Sequence, residues 1–275
     1  MLSGSSIEVV RPYHTQKIRV AIFDFDGTLS LIREGWPEIM IPMMVQVLSE
    51  LDSGESEAAL TALVTDFVHR LTGKQTIYQM LQLVEEIKKR GGQPRDPQWY
   101  KEEYHRKLLS RIEQRREALR SGEAKADQWL VPYSRELLEN LHRRGVQLYL
   151  ASGTDEVYVR EEARLLGLDP YFEDRIYGAV NDYRSFSKEA VIRQLLEEKV
   201  SDPKELIGFG DGYVEIENLV RHGGLAVGVA SEEQKRDGSV DPWKRPRLIS
   251  VGANYIIPDF RDHEALLAHM LEDRN

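Results

Sequence analysis

The hydrophobic pattern of the chain changes along its length. Residues 18–25 (IRVAIFDF) form an almost unbroken apolar run rich in branched side chains, which is typical of a strand buried on both faces of a parallel sheet. From Glu34 to about Gln128 the apolar residues recur at helical spacing instead. The segments that interrupt them, DSGES, TGKQT and GGQPRDP, are typical of turns. This part of the chain therefore predicts a block of helices.

After this block, predicted strands and helices alternate to the end of the chain. The predicted strands cover 146–152, 175–180, 205–211, 225–230 and 255–260. Because alternating strands and helices build parallel sheets, we expect an α/β fold with a Rossmann-like parallel sheet. The all-helical block is inserted after the first strand, so the expected domains are a core of 1–31 and 131–275 and a helical domain of 32–130.

Composition narrows the possible classes of function. The chain has 275 residues, 41% of them hydrophobic, enough for one large domain or two modest ones. Its net charge of −9 gives no electrostatic basis for binding nucleic acid or membranes. A phosphorylated substrate would therefore need local positive charge or a metal ion. The absence of cysteine excludes disulfides, thiolate metal sites and cysteine catalysis.

The chain carries no sign of membrane insertion or secretion. No apolar run approaches the ~20 residues that span a bilayer, and residues 1–17 lack the apolar centre of a signal peptide. We therefore expect a cytoplasmic protein. Residues 1–16 could form an extra strand or a loose tail, and 231–250 form a longer connection than the architecture requires. The oligomeric state stays open.

Acidic residues lie at the predicted ends of strands, where ligands bind in parallel sheets. Asp24 and Asp26 end the first strand, and Asp211 ends a later one, with Glu215 in the helix that follows. Close carboxylates repel each other unless a cation or a shared proton intervenes, and Mg²⁺ prefers oxygen ligands. This pattern predicts a divalent-cation site. The alternative is that both Asp-Gly sequences only form turns.

Groups suited to bind phosphate follow in the chain. Ser152, Gly153 and Thr154 (ASGT) lie between a predicted strand and helix, where backbone N–H groups can face an anion. Beside a metal site, this turn is interpreted as a phosphate cradle. Lys188 begins a later helix and could join it, but a lysine there is usually solvated. Other lysines, Lys199 and Lys204, lie nearby in the sequence.

The order of these motifs, DFDGTLS, ASGT, Lys188 and GDGYVE, resembles the four motifs of the haloacid dehalogenase (HAD) superfamily. The resemblance covers 17–31 and 131–262, and the helical block resembles the C1-type cap of that superfamily. Asp26 favours the phosphatase branch. Dehalogenases need neither an acid nor a metal there, and members that cleave carbon–phosphorus bonds have a small residue at that position.

The resemblance implies a role for each matching carboxylate. Asp24 would be the nucleophile that forms an aspartyl-phosphate, and Asp26 would act first as general acid and then as general base. Mg²⁺ would be held by the Asp24 carboxylate, the Asp26 carbonyl and Asp211. Glu215 stands where aspartate is commoner, so it would be either a direct ligand or a residue behind the ligands.

The resemblance also implies roles for the remaining motif residues. Ser152, the Gly153 amide and Lys188 would bind the phosphoryl oxygens and stabilise their charge in the transition state. Thr28 would orient Asp26 through a hydrogen bond.

Two further stretches could reach a substrate. LIREGW, after the first motif, supplies Arg33 and Trp36. LTGKQT resembles the specificity loop of C1-capped relatives and supplies Lys74 and Gln75. The alternatives are a surface arginine, a core tryptophan and a solvated turn. The histidines show no ligand spacing and are interpreted as structural.

The expected function is that of a Mg²⁺-dependent phosphatase acting through an aspartyl-phosphate. Its partner would be a small phosphorylated metabolite of the sugar phosphate, phosphoglycolate or nucleotide type, with no nucleic acid or membrane partner. Two alternatives remain: a phosphomutase of the same superfamily, and a catalytically silent binding or regulatory module.

Overall fold

The computed structural model describes residues 1–15, 17–180 and 182–271. Its centre is a seven-stranded sheet in the order β1-β7-β6-β5-β2-β3-β4, in which only β1 runs antiparallel to its neighbour, β7, among the described residues. The strands are β1 Glu8–Val9, β2 Val20–Phe23, β3 Gln147–Asp155, β4 Ile176–Ala179, β5 Leu206–Gly210, β6 Leu225–Val229 and β7 Tyr255–Ile257. The expected α/β fold with a parallel sheet is confirmed.

Helices surround this sheet and also fill the predicted helical block. They are α1 Pro37–Ser49, α2 Glu57–Arg70, α3 Thr76–Lys89, α4 Pro97–Ser121, α5 Ser134–Arg143, α6 Glu156–Leu165, α7 Asp169–Phe172, α8 Lys188–Glu198, α9 Tyr213–Arg221, α10 Lys244–Ser250 and α11 His263–Met270. Short 3₁₀ turns occupy Ala126–Trp129 and Pro203–Glu205. Helices α1 to α4 all lie between β2 and β3 in the chain, as the helical spacing predicts. The division into two domains stays a prediction.

The sheet is buried on both faces, which explains the continuous apolar runs of its strands. Along β2, Ala21 and Phe23 join a hydrophobic cluster that extends into the inserted helices. Their neighbours Val20 and Ile22 join a second cluster on the opposite face. Successive side chains of a strand point to opposite faces, so each face of β2 has its own core.

Strand β2 lies where the chain order of the sheet reverses. The chain continues from β2 to β3 and β4 on one side and then adds β5 on the other side. In open parallel sheets such a switch point forms a crevice at the carboxyl ends of the strands. Asp24 follows β2 directly, and its backbone N–H donates to the Phe209 carbonyl of β5 at 2.9 Å. The fold therefore places Asp24 at this crevice.

The structure also shows elements that the hydrophobic pattern did not predict or predicted too short. Strand β3 continues to Asp155, through the predicted turn, with a register shift against β4 after Ala151. Residues 8–9 form a short edge strand, so this part of 1–16 is an extra strand and not a loose tail. The connection 231–250 contains helix α10. None of the described helices combines the length and apolar composition needed to span a membrane.

Candidate active site

The predicted motif residues meet in one cavity at the carboxyl ends of β2, β3 and β5. The residues around it include Asp24, Asp26, Ser152, Gly153, Thr154, Lys188 and Asp211. Among the described residues, the alternative lysines Lys199 and Lys204 do not line it. Helix α8 begins with Lys188, which is why this lysine and no later one reaches the cavity. The tertiary structure thus brings side chains from four separate parts of the chain into one cavity.

The Asp24 carboxylate is buried and held on both of its oxygens. Its Oδ1 accepts the Phe25 N–H at 2.8 Å, and its Oδ2 lies 2.8 Å from the Lys188 ammonium nitrogen. Burial raises the pKa of Asp24, and the carboxylates of Glu215 and Asp211 raise that pKa further, against the opposing effect of Lys188. A cation at this position would favour the ionised form of Asp24.

Asp26 has one bound and one free oxygen. The Thr154 hydroxyl donates to Oδ2 at 2.8 Å, whereas Oδ1 is buried without a hydrogen-bond partner. Arg33 Nε lies 3.8 Å from that free oxygen. Burial raises the pKa of Asp26 to about 6, although the charge of Arg33 opposes this. A carboxyl group in this state can give or take a proton near neutral pH.

Thr28 is bonded differently from the expectation. Its hydroxyl oxygen accepts the Asp211 N–H at 2.9 Å and lies 3.4 Å from Asp211 Oδ1, so it positions Asp211. The hydrogen bond to Asp26 that was predicted for Thr28 is made by Thr154 instead. The reason is the turn at Gly27 (φ +74°), which follows Asp26 and directs Thr28 towards β5.

Three carboxylates of the site suit a hard divalent cation. One oxygen from each of Asp24, Asp211 and Glu215 lies within 4.8 Å of the others, and carboxylate oxygens are the ligands that Mg²⁺ prefers. Burial also raises the pKa of Asp211, and the carboxylates of Glu233 and Glu215 raise it further against the opposing charge of Lys244. The donor set therefore fits Mg²⁺.

Glu215 is already occupied within the protein. One oxygen accepts the Gly212 N–H at 2.8 Å, and the other accepts from Lys188 at 2.9 Å. This arrangement favours a position behind the ligands, where Glu215 orients Lys188 between itself and Asp24.

Arg33 lines the cavity, but its guanidinium group forms an ion pair with Glu162. Its guanidinium binds both oxygens of Glu162 at 2.8–3.2 Å, and both side chains are buried. Arg33 therefore acts on the site through the nearby Asp26, and a direct contact between Arg33 and substrate stays a prediction. The sequence signal for Glu162 is its place in α6, on the same buried helix face as Val159 and Ala163.

The loop between α2 and α3 reaches the site through its backbone. A Cβ atom at Gly153 would lie 2.8 Å from the Lys74 carbonyl oxygen, so only glycine allows this approach. Lys74 lines the cavity, as does Trp36, and Lys74 Nζ lies 5.8 Å from the centre of the Tyr78 ring. Gln75 is not among the residues that line the cavity, and its amide donates to the Tyr183 and Phe186 carbonyls of the segment before α8.

Four residues near the site were not expected from the sequence: Thr154 as a partner of Asp26, Glu162, Lys244 and Glu233. Lys244 Nζ lies 2.9 Å from Asp211 Oδ2 and 2.6 Å from Glu233 Oε1. Its surroundings in the sequence, WKRPRLIS, are rich in basic residues and are typical of a solvated helix. No local pattern distinguishes Lys244 from its neighbours.

Comparison with known proteins agrees with this geometry. The pattern of a hydrolase family, the haloacid dehalogenase-like hydrolases, matches residues 18–223. A 5'-nucleotidase of Pseudomonas aeruginosa is 34% identical over 105 residues, which are 37% of this chain and 47% of that protein. The matching region thus spans about half the length of this curated relative.

Solved structures share the fold. A predicted phosphoglycolate phosphatase from Haemophilus somnus superposes with a TM-score of 0.59 at 18% identity, covering 92% of this chain and 99% of the other. A phosphonoacetaldehyde hydrolase-like protein from Oleispira antarctica gives a TM-score of 0.60 at 16% identity, covering 98% and 96%. At such identities the likeness establishes the fold alone. Since the family pattern covers most of the chain, including the strands and motifs of the site, this protein belongs to the haloacid dehalogenase-like hydrolases.

Proposed function

We propose that this hydrolase is a Mg²⁺-dependent phosphatase, active in the cytoplasm, that cleaves a small phosphate monoester through an aspartyl-phosphate on Asp24. The observation that carries the proposal is the difference between two carboxyl groups in one cavity. Asp24 is fixed on both oxygens by the Phe25 N–H and Lys188, whereas Asp26 has a buried oxygen without a hydrogen-bond partner. A fixed carboxylate suits attack on phosphorus, and a carboxyl group with an unbonded oxygen suits proton transfer.

Each residue then has a defined task. The Asp24 carboxylate attacks phosphorus, while Asp26 passes a proton from its free oxygen to the departing ester oxygen. Asp26 next takes a proton from the water that attacks the aspartyl-phosphate, which releases inorganic phosphate and restores Asp24. The Ser152 hydroxyl, the Gly153 N–H and Lys188 hold the phosphoryl oxygens throughout.

The metal ion would be held by the Asp24 and Asp211 carboxylates and the Asp26 carbonyl. When bound, Mg²⁺ supplies positive charge that allows a phosphate dianion to approach a nucleophilic carboxylate. Lys188 adds a second positive charge at the same place. The pKa of this lysine is raised because Asp24 and Glu215 outweigh the lowering effect of burial, so it stays protonated.

The size of the cavity supports a small substrate. It measures about 90 Å³ and is lined on one side by Lys74 of the loop between α2 and α3, Gln79 of α3 and Tyr104 of α4. Pockets for drug-sized ligands usually start at roughly 300 Å³. A phosphoryl group with a short leaving group fits this space, whereas a nucleotide requires the covering loop to open.

The central experiment measures phosphate release from 4-nitrophenyl phosphate with and without Mg²⁺. We expect activity that needs the metal and is lost in Asp24→Asn. Asp66→Asn, on the exposed surface of α2, is the matched control and keeps full activity. Equal turnover by the unsubstituted protein and Asp24→Asn would falsify the nucleophile assignment.

Product counting distinguishes hydrolysis from isomerisation. With hexose 1-phosphates as substrates, a phosphatase releases one inorganic phosphate for each ester consumed, whereas a phosphomutase yields the isomerised ester. A screen of small phosphorylated metabolites for phosphate release would then identify the preferred leaving group.

A further inference from the structure

Lys244 is a buried lysine that the proposed reaction does not use. It is the first residue of α10 and only 7% exposed. Its ammonium nitrogen lies 2.9 Å from Asp211 Oδ2, 2.6 Å from Glu233 Oε1 and 3.0 Å from Ser231 Oγ. Each N–H of the ammonium group can therefore have an acceptor. We call Lys244, Asp211, Glu233 and Ser231 the Lys244 cluster.

The Lys244 cluster is joined to the turn that carries the first motif. The Ser231 hydroxyl donates to the Gly27 carbonyl at 2.6 Å. At Gly27, an added Cβ atom would overlap the Asp211 carboxylate and lie 2.9 Å from Glu233 Oε1. The long connection 231–250 thus returns to the site and places a positive charge beside one of the proposed metal ligands.

The cluster holds one positive and two negative charges. The Lys244 ammonium nitrogen lies 2.9 Å from Asp211 Oδ2 and 2.6 Å from Glu233 Oε1, so these two carboxylates hold Lys244 in its cationic form. A buried acid without a partner is costly, and Lys244 satisfies two acids at once. It therefore stabilises this part of the site in the absence of a metal.

The geometry of Asp211 does not depend on Lys244 alone. Thr28 accepts the Asp211 N–H and lies beside Oδ1, whereas Lys244 contacts Oδ2. Removal of Lys244 therefore changes the charge around Asp211 more than its position. A positive charge this close repels a divalent cation.

We propose that Lys244 is a positioning residue that acts as the internal counter-ion of the metal site, stabilising the metal-free enzyme and weakening its affinity for the divalent cation. Glu233 has the opposite effect, because it neutralises Lys244. This inference rests on the metal site of the proposed function. It assigns a role to the 231–250 connection, which the architecture of the sheet does not require.

Titration calorimetry with MgCl₂ on the complete chain tests the sign of each effect. For Lys244→Met we expect a Kd for Mg²⁺ about tenfold lower, since one nearby positive charge is gone. For Glu233→Gln we expect a higher Kd, because Lys244 is no longer balanced. The double variant restores the original net charge and should return close to the original Kd. Lys235→Met, an exposed lysine in the same segment, should change nothing.

Thermal unfolding supplies a second measurement. Without Mg²⁺, Lys244→Met should have a lower Tm than the unsubstituted protein, and saturating Mg²⁺ should raise its Tm by a larger amount. If Lys244 were only structural, Lys244→Met would bind Mg²⁺ more weakly than the unsubstituted protein, and that outcome would overturn the inference. An unchanged Kd in Lys244→Met would do the same.

The failures of the two proposals can be told apart. If the unsubstituted protein does not bind Mg²⁺, the metal site itself is wrong and both proposals fall. If it binds Mg²⁺ but the variants do not shift in opposite directions, only the counter-ion role is wrong. Should Lys244→Met not fold, Glu233→Gln alone still decides, because a lower or equal Kd contradicts the proposal.

Discussion

The two oxygens of Asp26 have different surroundings, and the protonation of this carboxyl group is set by its burial against the charge of Arg33 and a hydrogen bond from Thr154. The Thr154 hydroxyl donates to one oxygen at 2.8 Å and favours the ionised form. Burial favours the neutral form and is the larger effect, so the pKa rises to about 6. An acid with this pKa is partly protonated at neutral pH, which suits a group that must both donate and accept a proton.

This balance predicts a pH dependence. Asp26 is protonated below about pH 6 in the free enzyme, so kcat/KM for an alkyl phosphate should fall as the pH rises through that value. Thr154→Val removes a hydrogen bond to the ionised form, so the pKa of Asp26 rises further and the fall in kcat/KM moves to higher pH. Profiles of kcat/KM against pH for both proteins measure the shift.

Thr61→Val, an exposed threonine on α2, provides the control and should leave the profile unchanged. A shift of Thr154→Val to lower pH, or no shift, would show that Thr154 does not act on Asp26.

One side chain of the loop between α2 and α3 attaches this loop to the segment before α8. The Gln75 amide donates to the Tyr183 carbonyl at 2.9 Å and to the Phe186 carbonyl at 2.8 Å. These carbonyls precede α8, the helix that begins with Lys188. Gln75 thus ties the cover of the cavity to the segment that delivers the phosphate-binding lysine.

Loss of these bonds should loosen the loop without unfolding the protein. For Gln75→Ala we expect kcat/KM to fall roughly tenfold or more, because each lost hydrogen bond is worth about 1 kcal/mol. Limited proteolysis should also cut 71–75 faster than in the unsubstituted protein. Gln75→Glu should behave like Gln75→Ala, since a carboxylate cannot donate to a carbonyl.

Gln46→Ala, on the exposed side of α1, should match the unsubstituted protein in both assays. If Gln75→Glu retained full activity and resistance to proteolysis, the two carbonyl contacts would not hold the loop.

Packing connects the inserted helices to the sheet throughout the molecule. Phe23 and Phe209 of the sheet belong to the same buried hydrophobic cluster as Met44 and Leu83 of the inserted helices. Buried charges also cross between the two parts. Lys101 of α4 contacts Asp155 at the end of β3 at 2.5 Å, and Arg33 binds Glu162.

A shared core predicts one cooperative unfolding transition, with equal calorimetric and van't Hoff enthalpies. Glu162→Gln leaves the buried Arg33 without its charged partner, which costs about 3–5 kcal/mol, so the Tm of that single transition should fall by roughly 10 °C. Differential scanning calorimetry measures both effects.

Glu117→Gln, on the exposed surface of α4, is the control and should cost about 1 kcal/mol or less. Two separate transitions would show that the helices and the sheet unfold independently.

The sequence alone was sufficient for the parallel strands of the sheet and for the edge at which the predicted site residues meet. Nearly continuous apolar runs identify β2 and β5, because strands buried on both faces have almost no polar positions. Strand ends in a parallel sheet share one edge, so Asp24, Ser152 and Asp211 had to lie close together. These properties depend on local spacing, which can be read without knowing the fold.

Only the tertiary structure decided which side chains bind each other at the site. Arg33 binds Glu162, 129 positions away in the sequence, and Lys244 returns to Asp211 from a connection with no recognisable pattern. Such pairs depend on the direction of a turn and on the distance between elements that are remote in the chain. Local periodicity records whether a residue is buried but not its partner, and for this reason Thr154, rather than Thr28, came to lie beside Asp26.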